Sequence, residues 1–302
     1  VLQLNQLASQ QAAATPWSVG FAGAKADFAP LPLKTSGIWP DDLHGNLYRN
    51  GPAMMQRGSE RYQHWFDGDG MVQQFRIAGG KVVHQGKFVQ TKKFRTEQQQ
   101  GVFRYHGAGT LVKNPLAARN NDDFNTANTA LLPWQGELLA LWEAGSPHRL
   151  DPDSLSTLGV LDFGEAFKQL PFSAHPLPDG LGGVWNFGTW YYGGQKTLLV
   201  YQVAAKGISR LQQITLPQAS YVHAFAQSQG KLVFYLSACV YEQGRTPIEA
   251  YNWRPHLGSQ LLIVDKNDFS QQQWVELPAG FVFHLGQAWQ QQQQLYLQLS
   301  LY

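Results

Sequence analysis

The sequence has very little cysteine and few charged residues. Cys239 is the only cysteine among 302 residues, so an internal disulfide framework is excluded and the chain fits a reducing compartment. Charged residues make up only 15% of the chain and the net charge is +2. Because the lysines and arginines are scattered rather than clustered, nothing predicts a surface for nucleic acid.

Long hydrophobic runs are also missing. No apolar stretch approaches the roughly 18 residues that a membrane-spanning helix requires. Residues 1–14 lack the basic start and apolar centre of a signal peptide. We therefore expect a cytoplasmic protein that is at most peripheral to a membrane, where it could take up substrate. Residues 1–27 are expected to form an N-terminal extension, in which residues 2–14 are either a frayed terminus or an interfacial helix.

Several enzyme motifs are absent as well. The sequence contains no glycine-rich phosphate loop, no nucleophile-elbow serine and no zinc-hydrolase helix motif. Phosphoryl transfer, α/β-hydrolase and metalloprotease chemistry therefore have no support from the sequence.

What the chain does have is aromatic residues and short strand signals. Aromatics reach 13%, with ten tryptophans. Short β-branched or aromatic runs bounded by turn residues predict strands. They lie at residues 80–91, 137–142, 197–201, 231–236, 261–264 and 295–299. Helical periodicity is nearly absent after the N-terminus, so an all-β fold in a single domain over residues 1–302 is expected.

The second half of the chain contains a repeat. A Leu-Pro pair closes an apolar stretch at residues 170–171, 216–217 and 277–278, and a histidine follows each pair: His175, His223 and His284. Repeating units of roughly 50 to 60 residues, each with several strands, are typical of propeller blades. Equivalent points of successive blades can face one axis, so the repeat can bring these three side chains together.

Three such imidazoles on a rigid frame suit Zn, Fe, Cu or Ni, and only a repeat architecture joins ligands this far apart in sequence. Glu143 follows an apolar strand, where a carboxylate needs a partner, and the outward N–H of a ligating imidazole is a suitable donor. A surface position for Glu143 remains the alternative. Asp67 and Asp69, each followed by glycine, predict hairpin turns rather than chemistry.

Seven strings of the sequence resemble those of the carotenoid cleavage oxygenases. They keep the order and approximate spacing of that family, and they occupy residues 45–52, 64–72, 87–91, 125–129, 138–150, 173–176 and 280–284. The sequence most resembles the cyanobacterial apocarotenoid oxygenase branch, from about residue 28 onward.

The resemblance implies a seven-bladed β-propeller with a non-haem Fe(2+) held by four histidines. By position, His175, His223 and His284 correspond to the first three ligands, and Glu143 to a glutamate that orients one of them. The implied activity is that of an oxygenase that uses O2 to cleave a conjugated C=C bond of an apolar polyene, an apocarotenoid or carotenoid, into two carbonyl products.

The sequence departs from the family pattern in three places. The chain stops at Tyr302, whereas the family continues with blades that carry the fourth histidine, so we expect a propeller that is incomplete at its C-terminus. Ala224 replaces a common aspartate, and residues 285–288 differ from the usual string after the third ligand. Two other functions therefore stay open: a stilbene- or phenylpropanoid-cleaving oxygenase with the same iron site, and a non-catalytic propeller that binds an apolar ligand or partner. Trp142, at the position of a lysine in stilbene-cleaving members, favours a polyene.

Overall fold

The computed structural model describes residues 20–302, apart from the side chains of residues 166 and 192. The chain divides into two compact units, Val1–Leu161 and Asp162–Tyr302. The helical candidate at residues 2–14 lies outside the described residues, as does most of the predicted extension. A single domain over residues 1–302 stays a prediction. Over residues 20–302, no helix has the length and apolar character needed to cross a membrane.

The described part of the first unit, residues 20–161, contains ten strands. They are β1 (Phe28–Leu33), β2 (Gly45–Met54), β3 (Gln56–Arg57), β4 (Glu60–Arg61), β5 (Asp69–Ala78), β6 (Lys81–Phe88), β7 (Ala130–Trp134), β8 (Glu137–Leu141), β9 (His148–Leu150) and β10 (Thr157–Val160). Eight of them form two four-stranded antiparallel sheets, in the orders β1-β6-β5-β2 and β10-β9-β8-β7, and β3 pairs with β4. Helix α1 (Lys92–Gln100) follows the first sheet. Short 3-10 helices lie at Trp65–Asp67 and Asn121–Asp123.

The second unit contains twelve strands. They are β11 (Leu177–Pro178), β12 (Val184–Trp190), β13 (Thr197–Ala204), β14 (Gly207–Thr215), β15 (Phe225–Gln227), β16 (Lys231–Leu236), β17 (Cys239–Tyr241), β18 (Tyr251–Trp253), β19 (Ser259–Asp265), β20 (Gln272–Leu277), β21 (Leu285–Gln291) and β22 (Gln294–Leu299). The sheets have the orders β11-β12-β13-β14, β15-β16-β19-β20, β17-β18 and β21-β22. The helices are α2 (Pro247–Ala250) and short 3-10 turns at Glu165–Phe167, Tyr192–Gly194 and Pro255–Leu257.

The six segments predicted as strands coincide with β6, β8, β13, β16, β19 and β22, which confirms the all-β prediction. Inner strands such as β13 and β16 are apolar at nearly every position because both of their faces are covered. Between β5 and β6, Gly79 and Gly80 take φ angles of 54° and 70°, which the favoured two-residue hairpin turn requires and which glycine adopts without strain.

The sheets of the second unit stack face to face in chain order. One apolar cluster joins the β11–β14 sheet to the sheet of β15, β16, β19 and β20, through residues such as Phe187, Val200, Phe234 and Leu262. A second cluster joins that sheet to the β21–β22 pair. Successive antiparallel sheets that pack on their predecessors are the arrangement of propeller blades.

Candidate metal centre

Each of the three repeated histidines stands one or two residues before the first strand of a sheet. His175 stands two residues before β11, His223 two residues before β15, and His284 directly before β21. Each of these strands is the first of its sheet in chain order and lies at one edge of it. The sequence repeat therefore corresponds to a structural repeat, since it marks the point where the chain enters each sheet.

The backbone before His175 is held by the neighbouring strand. Ser173 donates its N–H to the carbonyl of Phe187 at 3.1 Å, and its hydroxyl bonds the side chain of Asn186. The buried hydroxyl of Tyr201 donates to the carbonyl of Pro171 at 2.7 Å. Because both ends of this segment are tied to buried groups, His175 has a fixed position relative to its sheet.

The segment before His223 pairs with β17. The N–H of Tyr221 donates to the carbonyl of Cys239 at 2.8 Å, and the N–H of Tyr241 donates to the carbonyl of Ala219 at 2.8 Å. On either side of His223, Val222 and Phe225 are buried in the apolar core. His223 is itself only 9% exposed, so little freedom is left to its ring.

The segment before His284 pairs with the end of the chain. Phe281 and Tyr302 exchange two backbone hydrogen bonds, and the N–H of Ser300 donates to the carbonyl of His284 at 3.3 Å. Val282 is buried and anchors the segment. His284 is exposed, so it forms the open side of the histidine cluster.

The three rings meet in one place. One ligand nitrogen from each of His175, His223 and His284 lies within 4.8 Å of the other two. The Nε2 atoms of His175 and His223 are 2.9 Å apart. The ring planes are steeply inclined to one another, at 66° to 82°, so the three rings meet edge to face.

This donor set fits a transition metal. Two imidazole nitrogens that each bind one ion at about 2.1 Å and at right angles lie about 3.0 Å apart, close to the Nε2 separation of His175 and His223. Imidazole suits Zn, Cu, Fe, Co and Ni, whereas Mg and Ca prefer carboxylate and carbonyl oxygens. The group holds three such donors and no carboxylate among the described residues.

Aromatic rings line one side of the histidines. Phe283 lies edge-on to His223 with the ring centroids 5.6 Å apart, and Tyr221 stacks parallel to Phe281 at 5.7 Å. The hydroxyl of Tyr221 is 3.4 Å from Nδ1 of His223. Tyr251 meets Tyr221 edge-on at 4.9 Å. We call Tyr221, Tyr251, Phe281 and Phe283 the aromatic cluster. It gives the site an apolar wall.

The aromatic cluster was not predicted from the sequence, although a signal was present. In residues 221–223 and 281–284 an aromatic residue, a valine and then a histidine follow in order. The valine is buried in both segments. Since side chains alternate between the faces of an extended chain, the aromatic residues beside each valine must turn to the face opposite that valine, a face that His223 shares with Tyr221.

Glu143 lies in the first unit, two residues after the end of β8, and is partly buried. It stands in a loop of residues 142–147 that joins β8 to β9. The predicted role of Glu143, to orient a histidine, stays a prediction. The loop itself is tightly held, and His148 at its end is almost fully buried.

His148 is expected to make the stability of the protein depend on pH. Burial lowers the pKa of His148 to about 4, although the nearby Asp122 acts in the opposite direction. In the unfolded chain the same histidine titrates near 6.5, so between pH 6.5 and 4 the unfolded state binds more protons. The stabilisation is present above pH 6.5 and is lost as the pH falls to 4, by about 3 kcal/mol.

Urea unfolding at pH 7 and pH 4.5 measures this effect. The loss of stability on acidification should be clearly smaller in His148→Gln than in the unmodified protein, because glutamine does not titrate. His256→Gln is the matched control, because His256 is exposed. An equal acid sensitivity in His148→Gln and the unmodified protein would show that other groups cause it.

The comparisons with known proteins point to one family. The family model described as retinal pigment epithelial membrane protein matches residues 22–302. The apocarotenoid-15,15'-oxygenase of Synechocystis is 32% identical over 95% of this chain and 62% of its own length. The isoeugenol monooxygenase of Pseudomonas nitroreducens is 27% identical over 88% of this chain and 57% of its own length. The solved structure of cobalt-substituted Synechocystis apocarotenoid oxygenase superposes with a TM-score of 0.78 and 28% identity, over 93% of this chain and 62% of that one.

The chain therefore belongs to the retinal pigment epithelial membrane protein family, the family of the carotenoid cleavage oxygenases that the sequence resembles. The predicted all-β propeller class is confirmed by the strand content and by the structural neighbours. The chain spans less than two thirds of the length of the relatives it matches.

Proposed function

We propose that this chain supplies the iron-binding part of an oxygenase that cleaves one conjugated C=C bond of an apocarotenoid. The observation that carries the proposal is the convergence of His175, His223 and His284, from three separate sheets, to within 4.8 Å. The likeness to the apocarotenoid-15,15'-oxygenase of Synechocystis, which is 32% identical, supports the choice of substrate.

In this proposal the three histidines bind Fe(2+) through their ring nitrogens. Neutral imidazoles leave the full positive charge on the ion, which differs from sites in which a carboxylate is also a ligand. When bound, the ion supplies the redox chemistry with O2 that no side chain can perform. We assign to Glu143 the task of orienting one of the imidazoles, since such partners fix the tautomer and ring direction of metal ligands.

The chain's own contribution is to hold the substrate. A polyene is flat and apolar, so the parallel rings of Tyr221 and Phe281 and the edge of Phe283 offer surfaces of matching shape. The hydroxyl of Tyr221 is 3.4 Å from Nδ1 of His223, so its polar end lies beside a metal ligand. The overall reaction is balanced: both bonds of the C=C are broken, and each carbon takes one oxygen atom of O2 to form a carbonyl group.

Activity of the natural gene product that contains this chain tests the proposal. The protein is freed of metal with a chelator, loaded separately with Fe(2+) or Zn(2+), and given an apocarotenal in air. The Fe(2+) sample is expected to consume one O2 per substrate and to release two carbonyl products, whereas the Zn(2+) sample is inactive because zinc has no redox chemistry. Binding of the polyene without O2 uptake in the Fe(2+) sample would indicate a non-catalytic propeller.

The second candidate is cleavage of a phenylpropanoid. The likeness to the isoeugenol monooxygenase of Pseudomonas nitroreducens favours it, at a lower identity of 27%. Isoeugenol as a parallel substrate separates the two candidates. Turnover of isoeugenol well above that of the apocarotenal would replace the first proposal with the second.

A further inference from the structure

The loop that carries Glu143 is held by the 3-10 segment that precedes it in the chain. Two residues of the loop, Ala144 and Ser146, form hydrogen bonds with residues 121–125, which are this segment and the two residues after it. Asn121 donates from Nδ2 to the carbonyl of Ala144 at 2.7 Å, and Asn125 donates from Nδ2 to the carbonyl of Ser146 at 3.0 Å. At the start of the loop, the ring of Trp142 meets that of Phe124 edge-on at 5.4 Å.

Asp122 makes the strongest of these contacts. Its Oδ1 accepts the N–H of Ser146 at 2.7 Å, and its Oδ2 accepts the hydroxyl of the same serine at 2.7 Å. Oδ1 also lies 3.4 Å from Nδ2 of Asn125. Hydrogen bonds to a carboxylate are about twice as strong as those between neutral groups, so Asp122 is the main anchor of the loop.

The middle of the loop packs so closely against Asp122 and Asn125 that position 145 has no space for a side chain. A Cβ atom at Gly145 would lie 2.9 Å from Oδ1 of Asp122 and 2.6 Å from Nδ2 of Asn125. The loop can therefore approach the segment this closely only with glycine at position 145. Glu143, two residues before Gly145, is the only charged side chain in residues 142–147.

We infer that Asp122 is a positioning residue, which acts by fixing the backbone of residues 143–146 so that the Glu143 carboxylate has one direction. The inference rests on the proposed function, in which Glu143 orients a metal-ligating histidine. Asp122 itself needs no contact with the metal or the substrate. Replacing Asp122 therefore changes the affinity for the metal only through the position of Glu143.

A double-mutant cycle on metal affinity tests the inference. The probe is Co(2+), whose binding is followed by its visible absorption. Glu143→Gln is expected to weaken Co(2+) binding about 10- to 100-fold, the usual effect of losing a group that orients a ligand. Asp122→Asn should weaken it about 3- to 10-fold, since its effect is one step further removed. The double variant should bind no more weakly than Glu143→Gln alone, because Asp122 then has nothing left to position.

A matched control and a milder variant accompany the cycle. In the same unit, Oδ1 of Asp151 accepts the N–H and the hydroxyl of Ser154, both at 2.7 Å, in a turn without a site residue. Asp151→Asn is therefore expected to leave the affinity for Co(2+) unchanged. Ser146→Ala keeps the backbone bond to Asp122 and removes only the hydroxyl, so it should fold normally and show a smaller loss in the same direction.

The outcomes separate this inference from the proposed function. If the unmodified protein binds no Co(2+), the proposed metal site is wrong and the inference falls with it. If the protein binds Co(2+) and Glu143→Gln weakens it, but Asp122→Asn and Ser146→Ala do not, the inference alone is wrong. Additive losses in the double variant would also overturn it, since they would mean that Asp122 acts on the metal independently of Glu143.

Discussion

Replacing Lys93 with methionine is expected to lower the free energy of unfolding of the protein by about 3 to 5 kcal/mol. Lys93 lies on α1 and its side chain has no exposed surface. Its Nζ is 2.8 Å from Oδ1 of Asp69 and 3.0 Å from Oε2 of Glu97. Methionine fills a similar volume and removes only the charge, so the loss reports the electrostatics of the site.

The expected loss is large because two carboxylates would lose a buried counter-charge. Burial alone would lower the pKa of Lys93, but Asp69, Tyr62 and Glu97 together raise it above its usual range. Arg57 also bonds Asp69, at 3.3 Å, but one cation cannot balance two buried carboxylates. These ionic side chains form a buried cluster that links α1 to strands β3 and β5. Its disruption is therefore expected to destabilise the first unit.

Urea unfolding of Lys93→Met and Lys92→Met measures the difference. Lys92 is the neighbouring residue on the helix and pairs with Asp123, but its side chain is 41% exposed. Its loss should therefore cost about 0 to 1 kcal/mol. Equal effects of the two substitutions would show that the buried cluster contributes no more than a surface ion pair.

His223→Ala is expected to weaken metal binding at least about 100-fold, because losing a ligand exceeds the usual 10- to 100-fold effect of losing a group that orients one. His223 is the least exposed of the three histidines, and both of its partners are within 5 Å between ring centroids. Its removal leaves His175 and His284 with centroids 5.3 Å apart and no donor between them.

Equilibrium dialysis against Fe(2+) without oxygen gives the dissociation constants. His256→Ala serves as the control, since His256 is exposed and lies outside the cluster. Circular dichroism of each variant checks that the β fold is intact. Unchanged affinity for Fe(2+) in folded His223→Ala would mean that the histidines are not the metal site.

The positions of the three histidines could be predicted because they depend on a repeat. A Leu-Pro pair followed by a histidine marks the entry of the chain into a sheet, so one local pattern predicted three equivalent places. The three places lie close together because equivalent points of stacked sheets converge. The aromatic cluster had only a weaker signal, the aromatic residues beside Val222 and Val282, which becomes informative once the faces of those segments are known.

The prediction for Asp67 and Asp69 was wrong in form, although their structural role was expected. Neither aspartate lies in a hairpin turn: Asp67 ends a 3-10 helix and Asp69 begins β5. The Asp67 carboxylate accepts the N–H of Gly109 at 3.0 Å, and Asp69 pairs with Lys93. These partners come from segments that are distant in sequence, and local turn chemistry cannot reveal them.

The three-histidine metal centre is tested most directly by X-ray absorption at the iron edge of the protein loaded with one equivalent of Fe(2+). At least three imidazole nitrogens are expected to bind the ion at about 2.1 Å, and their number should fall when His175, His223 or His284 is replaced by alanine. A shell made mainly of carboxylate or water oxygens, unchanged by those substitutions, would contradict this expectation.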